Sequence, residues 1–172
     1  MPVDDVHVGT FVEFVKMAND QEAWDALATV VKRVDAGIRN SIISSLGPHD
    51  ARPDRKDPIR AERLRFLLRF LDDRTVEEYS TEGWTEGEIR AAYTEGQLEA
   101  FKGNIPKTYS WAEVRDIAAA QLAGLLGITR LRSDNEYMAV YNPKAGPLSR
   151  LLTREAVRQA AMRELAQHRR GP

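Results

Sequence analysis

Apolar residues recur every three or four positions along most of this chain, the spacing of one face of an α-helix. Trp24, Leu27, Val31 and Val34 share one such stripe after Asp20. Ile38, Ile42 and Leu46 form a second, which Gly47-Pro48 ends. From Ile59 to Asp73, Leu64, Leu67, Leu68 and Leu71 lie on one stripe with Phe66 and Phe70 beside it. That face is wide enough for a well-buried helix and leaves Arg63, Arg65 and Arg69 for the rim. Val114, Ile117, Ala118, Gln121, Leu122 and Leu125 predict another buried face over 111–126, with Gly127 as its C′ residue. A last helix is predicted from Arg154 to about His168. The expected fold class is therefore all-α.

Cap chemistry sets the expected boundaries. A Ser or Thr followed three residues later by Glu or Gln lets two side chains satisfy backbone N–H groups that the helix start leaves unpaired. Thr10-Phe11-Val12-Glu13 and Ser110-Trp111-Ala112-Glu113 both fit, and Tyr109 with Val114 supplies a hydrophobic staple for the second. The first helix is thus expected from Phe11 to about Ala18, broken by Asn19-Asp20. Asp20 and Asp35 are suited to cap the next two, and Thr153 the last, stapled by Leu152 and Val157. Residues 47–58, with three prolines and many charges, read as a loop. Residues 129–150 read as mostly irregular, with Glu136–Tyr141 either extended or a short helix. At 172 residues, one domain spanning 1–172 is expected.

Three of these helices share a local frame. It appears in Ile38–Gly47, Val114–Ala123 and Val157–Ala166: an aliphatic–Arg pair, a small or aliphatic pair, then Leu. VRDIAAAQLAGLLG (Val114–Gly127) resembles the second helix of a HEAT repeat, and RLRFLLRFLDD (Arg63–Asp73) is similar to a HEAT first helix with its acidic turn. The resemblance covers about half the chain. It implies antiparallel helix pairs, 21–34 with 36–46 and 59–73 with 111–126, and a partial unit ending in 154–168. It also implies that Arg39, Arg115 and Arg158 act between neighbouring repeats. In HEAT repeats a few residues join the paired helices; here residues 74–110 intervene. The two architectures that fit are a HEAT-like short solenoid and an irregular helical bundle.

The 74–110 insert, expected to be helix and loop, carries a tandem duplication. Trp84-Thr85-Glu86-Gly87-Glu88-Ile89-Arg90-Ala91-Ala92 is followed at once by Tyr93-Thr94-Glu95-Gly96-Gln97-Leu98-Glu99-Ala100-Phe101. Each copy has its own capping box, Thr85 with Glu88 and Thr94 with Gln97. In one continuous helix the copies would face opposite sides; as two short helices they can present the same face. The aromatics then either pack on the core or form a partner-binding platform of Trp84, Glu86, Glu88, Tyr93, Glu95 and Glu99.

Charge is segregated although the net is only -1. From Asp72 to Glu99, Asp72, Asp73, Glu77, Glu78, Glu82, Glu86, Glu88, Glu95 and Glu99 stand against Arg74 and Arg90 alone. From Lys144 onward bases dominate, and Arg154, Arg158 and Arg163 are candidates for anion or nucleic-acid contact. With no cysteine, disulfides, thiolate metal sites and cysteine nucleophiles are excluded. The three histidines have no ligand spacing, and P-loop, Rossmann and nucleophile-elbow motifs are missing. No catalytic residue, metal or cofactor is therefore expected, nor a membrane span or signal peptide. The expectation is a cytoplasmic protein–protein interaction module, a small subunit or adaptor. The alternatives are a nucleic-acid-binding helical repeat using the basic C-terminal helix, and an immunity- or antitoxin-type inhibitor using the acidic insert.

Overall fold

The structure is a computed structural model and describes residues 5–47, 57–128 and 154–168. In chain order these form α1 (Asp5–Ala18), α2 (Gln21–Val31), α3 (Ala36–Ser45), α4 (Arg60–Leu68), β1 (Val76–Ser80), α5 (Glu86–Ala92), α6 (Glu95–Phe101), β2 (Thr108–Glu113), α7 (Val114–Leu125) and α8 (Arg154–His168). The chain is helix-rich, as its apolar spacing implies. It also contains a two-stranded antiparallel sheet, β1 against β2, which includes part of the insert expected to be helix and loop. The Thr153 cap and residues 129–150 lie outside the described residues.

Several helix ends follow from side-chain chemistry. Asp20 accepts from Ala23 N at 2.7 Å and Asp35 from Ile38 N at 2.9 Å, each satisfying a first-turn donor. Gly127, at a φ of 66°, follows α7 in the left-handed conformation expected of a C′ glycine.

Other ends differ from expectation. Helix α1 starts at Asp5, so Thr10 lies inside it rather than at its cap. Val8, Phe11, Val12 and Val15 keep helical spacing across Thr10, and that continuity outweighs the local cap signal. Helix α4 stops at Leu68, short of Asp73. Bonds from Arg69 N to Phe66 O (3.0 Å) and from Phe70 N to Leu67 O (3.1 Å) tighten the chain while Phe70 and Leu71 still enter the core. The Ser110–Glu113 box does not form, because those residues belong to β2 and the helix begins at Val114. Its first donors are met by backbone instead: Val114 N reaches Thr75 O at 2.9 Å and Arg115 N reaches Asp73 O at 2.8 Å.

Helix α7 lies at the centre of the packing. It touches α3, α4 and α8; α8 also lies on α4, and α1 covers α2 and α3. Small residues Ala118, Ala120, Ala123 and Gly124 on α7 are buried, which lets neighbouring helices approach closely. Trp24, Phe66 and Phe70 form an aromatic row through the core, with ring centroids 5.8 and 5.1 Å apart. At the end of α3 the fit is tight. A Cβ on Gly47 would fall 1.6 Å from Gln121 Oε1 and 2.6 Å from its Cδ, so a side chain there forces Gln121 out of place.

Arginines tie this core together, and one correction concerns them. Arg63, expected on the rim, is buried. Its guanidinium donates to Leu46 O at 2.8 Å and to Gly47 O, and it pairs with Asp57 at 2.6 Å. Arg39 does the same one helix earlier. It donates to Val31 O (2.9 Å), Lys32 O (3.1 Å) and Val34 O (2.9 Å), and its Nη1 reaches Asp73 Oδ2 (2.7 Å) and Thr75 Oγ1 (2.9 Å). Each arginine thus gathers the carbonyls at the end of the preceding helix, where the helix dipole is negative. Arg60, also buried, clamps Glu164 of α8 through Nε at 2.5 Å and Nη2 at 3.2 Å.

Removing Arg39 leaves three carbonyls without this donor and the half-buried Asp73 carboxylate without its cation. Arg39→Met is expected to lower the unfolding free energy by about 3–5 kcal/mol, read by chemical denaturation; a loss under about 1 kcal/mol would show that water replaces the guanidinium. Burial raises the affinity of Asp73 for a proton, but hydrogen bonds from Thr75 and Arg39 outweigh it and hold the carboxyl below its usual value. A depressed folded-state pKa stabilises the fold above the unfolded value of about 4 and is lost as pH falls through the folded value. Wild-type stability should therefore drop on acidification below about pH 4, and Asp73→Asn should flatten that drop in the same denaturation series.

Candidate functional site

The insert between α4 and α7 is built on paired stems. Residues Glu78, Tyr79 and Ser80 face Ser110, Tyr109 and Thr108, with an irregularity between Val76 and Glu78. Thr81 N extends the ladder to Lys107 O at 3.0 Å, and Thr81 Oγ1 holds Pro106 O at 2.5 Å. The start of β1 is fastened to α3. Glu77 accepts from Asn40 Nδ2 at 2.9 Å and from the Tyr79 hydroxyl, and its Oε1 lies where a Gly37 Cβ would be 2.9 Å away. Desolvation, with the Glu77 carboxylate beside it, pushes the Tyr79 phenol up to about 12.

Both capping boxes of the duplication form. Thr85 Oγ1 accepts from Glu88 N at 3.3 Å while Glu88 Oε2 accepts from Thr85 N at 2.7 Å. Thr94 Oγ1 accepts from Gln97 N at 3.4 Å while Gln97 Oε1 accepts from Thr94 N at 2.9 Å. The backbone and hydroxyl donors of Thr85 keep the Glu88 carboxyl below its usual value. The duplication therefore folds as two short helices rather than one.

The geometry gives the aromatics a shared seat. Trp84 and Tyr93, the first residues of the two copies, each lie 5.4 Å from the Tyr109 ring, and Tyr93 also meets Phe101 edge-on at 5.1 Å. All four rings are half-buried. They form a small satellite cluster under α5 and α6, away from the main core. Tyr109 was not singled out for this role by the sequence, where it read as a helix staple. The alternation Thr108-Tyr109-Ser110-Trp111, polar with aromatic, is the strand signal that identifies it.

Above this cluster the surface is acidic. Neither α5 nor α6 contains a fully buried residue, and among the described residues neither packs extensively on the other helices. Glu86 is exposed and pairs with Arg90 at 2.8 Å. Glu95 and Glu99 are exposed, one turn apart on α6, with no ion pair between them and a cation among the described residues. At the other charged end, Arg154 pairs with Asp116 at 2.8 Å and Arg158 with Asp72 at 2.7 Å, while Arg163 is exposed. The basic candidates do not converge with the acidic ones.

Among the described residues no group of three or more His, Asp or Glu could hold a metal ion, and no helix is long and apolar enough to cross a membrane. Compared with known proteins, the chain matches no protein family, no curated protein and no solved structure.

Tyr109→Ala removes the ring on which both copies lean. Two aromatic pairs at roughly 0.5–1.5 kcal/mol each set the expected local destabilisation of α5 and α6 at about 1–3 kcal/mol. Amide hydrogen exchange should accelerate over 86–101 and stay unchanged in α7. Uniform acceleration across α7 would mean that the insert supports the core.

Proposed function

We propose that this chain is a non-enzymatic protein-binding module of the cytoplasm, a small subunit or adaptor, whose acidic insert is the docking surface. One observation carries the reading: α5 and α6 each carry a complete N-terminal capping box and rest on the Tyr109 cluster, yet neither contains a fully buried residue. Like charges at Glu95 and Glu99 cost an isolated helix a few tenths of a kcal/mol, roughly 0.2–0.5. No cation among the described residues pairs with them, and a basic partner surface would neutralise them. Charged rims of this kind steer association and select partners more than they add raw affinity.

The nucleic-acid alternative draws less support, because Arg154 and Arg158 already face Asp116 and Asp72. The proposed architecture is a short HEAT-like solenoid. Supporting it, α2 lies against α4 and α3 against α7, as successive pairs would stack, and Arg39 links the turn within the first pair to the acidic turn of the second.

The test is quantitative affinity capture from the source cells with the wild type and a Glu95→Lys/Glu99→Lys variant. The expected result is a defined protein retained by the wild type at stoichiometric level and reduced at least about tenfold, or about 1.4 kcal/mol, by the variant. Retention of the same protein by both, or a wild type that elutes without any partner, would sink the proposal.

A further inference from the structure

Among the described residues, no strand pairs with the outer edge of β1. In an antiparallel pair, facing residues alternate between those that exchange both backbone hydrogen bonds and those that exchange none. Thr81 N bonds Lys107 O at 3.0 Å. Two residues earlier in the same register, Tyr79 and Tyr109 are again a bonded pair. The N–H and C=O groups of Glu78 and Ser80 therefore point away from β2, out of the free edge of β1. Residues 78–80 are exposed, whereas Val76 and Glu77 are half-buried where the strand begins over α3. An isolated two-stranded ribbon is marginal in water and gains stability from a helix packed on it or from a third strand; here α3 covers only the start of β1.

We infer that this edge of β1 takes up an extended, basic segment of a partner protein as a third strand. This rests on the reading of the insert as a protein-binding surface and narrows it to one edge and one partner conformation. Charge selects the occupant. Glu78 and Glu82 flank the edge with exposed carboxylates, and neither has an ion pair among the described residues. A second copy of β1 would set these glutamates against their own kind, so the occupant is a different chain. Tyr79, on the opposite face from Glu78, is 42% exposed and offers aromatic surface. A strand alternates its side chains between two faces. One that places lysine or arginine beside Glu78 and an aliphatic residue beside Tyr79 complements both. The edge of β2 carries Thr108 and Ser110 with Lys107 beside them and lacks this character.

The probe is a labelled ten-residue peptide alternating lysine and valine, titrated against the full chain by fluorescence polarisation. A peptide of the same sequence with alternate backbone nitrogens methylated keeps its charge but cannot pair. Ser80→Pro removes one outward N–H and leaves the bonds to β2 in place. Glu78→Lys/Glu82→Lys removes the charge without touching the backbone. The expected result is binding of the unmethylated peptide, weakened at least about tenfold by methylation and by each variant, with unchanged circular dichroism. Absence of binding overturns strand addition, and so does equal binding of the two peptides. Unchanged binding by either variant also overturns it. If capture of the cellular partner still depends on Glu95 and Glu99, only the edge assignment falls. Dimerisation of the free protein that Ser80→Pro abolishes would make a second copy the occupant and overturn the inference as well.

Discussion

The guanidinium of Arg39 is the joint on which the rest of the structure depends. Its five donors are all used, three on the carbonyls that end α2 and two on Asp73 and Thr75. Those two residues in turn present their own carbonyls to Arg115 and Val114, the first donors of α7. One side chain thus links the end of α2, the turn after α4 and the start of the central helix. A lysine could match the charge but not the fork, because it carries three donors on one atom rather than five in a plane. The desolvation of a buried guanidinium is offset here only because every donor is met.

The same solution recurs at Arg63, which gathers Leu46 O and Gly47 O at the end of α3. Helix ends that face inward cannot use water for their last carbonyls. In this fold the following segment supplies an arginine instead, and an acidic residue, Asp73 or Asp57, balances its charge. Arg60 extends the theme to α8 through Glu164, so α8 is attached by a partly buried ion pair as well as by Val157 and Ala161. Three buried arginines, Arg39, Arg60 and Arg63, therefore organise the interior, and the arginines at the frame positions 39 and 158 face Asp73 and Asp72.

How much of this could be read from the residues differs by element. The apolar faces of α2, α3, α4 and α7 were legible because a 3.6-residue period persists over three turns and burial enforces it. The Asp20, Asp35, Thr85 and Thr94 caps were legible because each interaction closes within three residues of chain. The strands were not. Thr75–Ser80 is glutamate-rich, and Ser110–Glu113 satisfies a capping-box pattern as well as it satisfies strand alternation. Only pairing across nearly thirty intervening residues decides between them, and a non-local contact leaves no periodic trace. Arg63 was misplaced for a related reason: its partners, Leu46 O and Gly47 O, are backbone atoms on another helix. In the candidate site, Trp84, Tyr93 and the glutamates stood out through the duplication. Tyr109, on which both aromatics rest, did not, because its role exists only once β2 is paired.

The position of the insert follows from the same joint. The cost of closing a loop grows only slowly with its length once its ends are held together. Here the ends are held twice, by the β1–β2 ladder and by the bonds from Val114 and Arg115 to the 73–75 turn. The core consequently experiences the same pair of stems whatever lies beyond Thr81 and Lys107. A segment so decoupled can carry glutamates that no cation among the described residues pairs, without loosening α7. Had α7 kept a side-chain cap of its own at Ser110, the insert would have been a loop between two finished helices. Instead the backbone of the 73–75 turn is the cap, which fixes the insert's root against the central helix α7 and leaves its acidic surface outside.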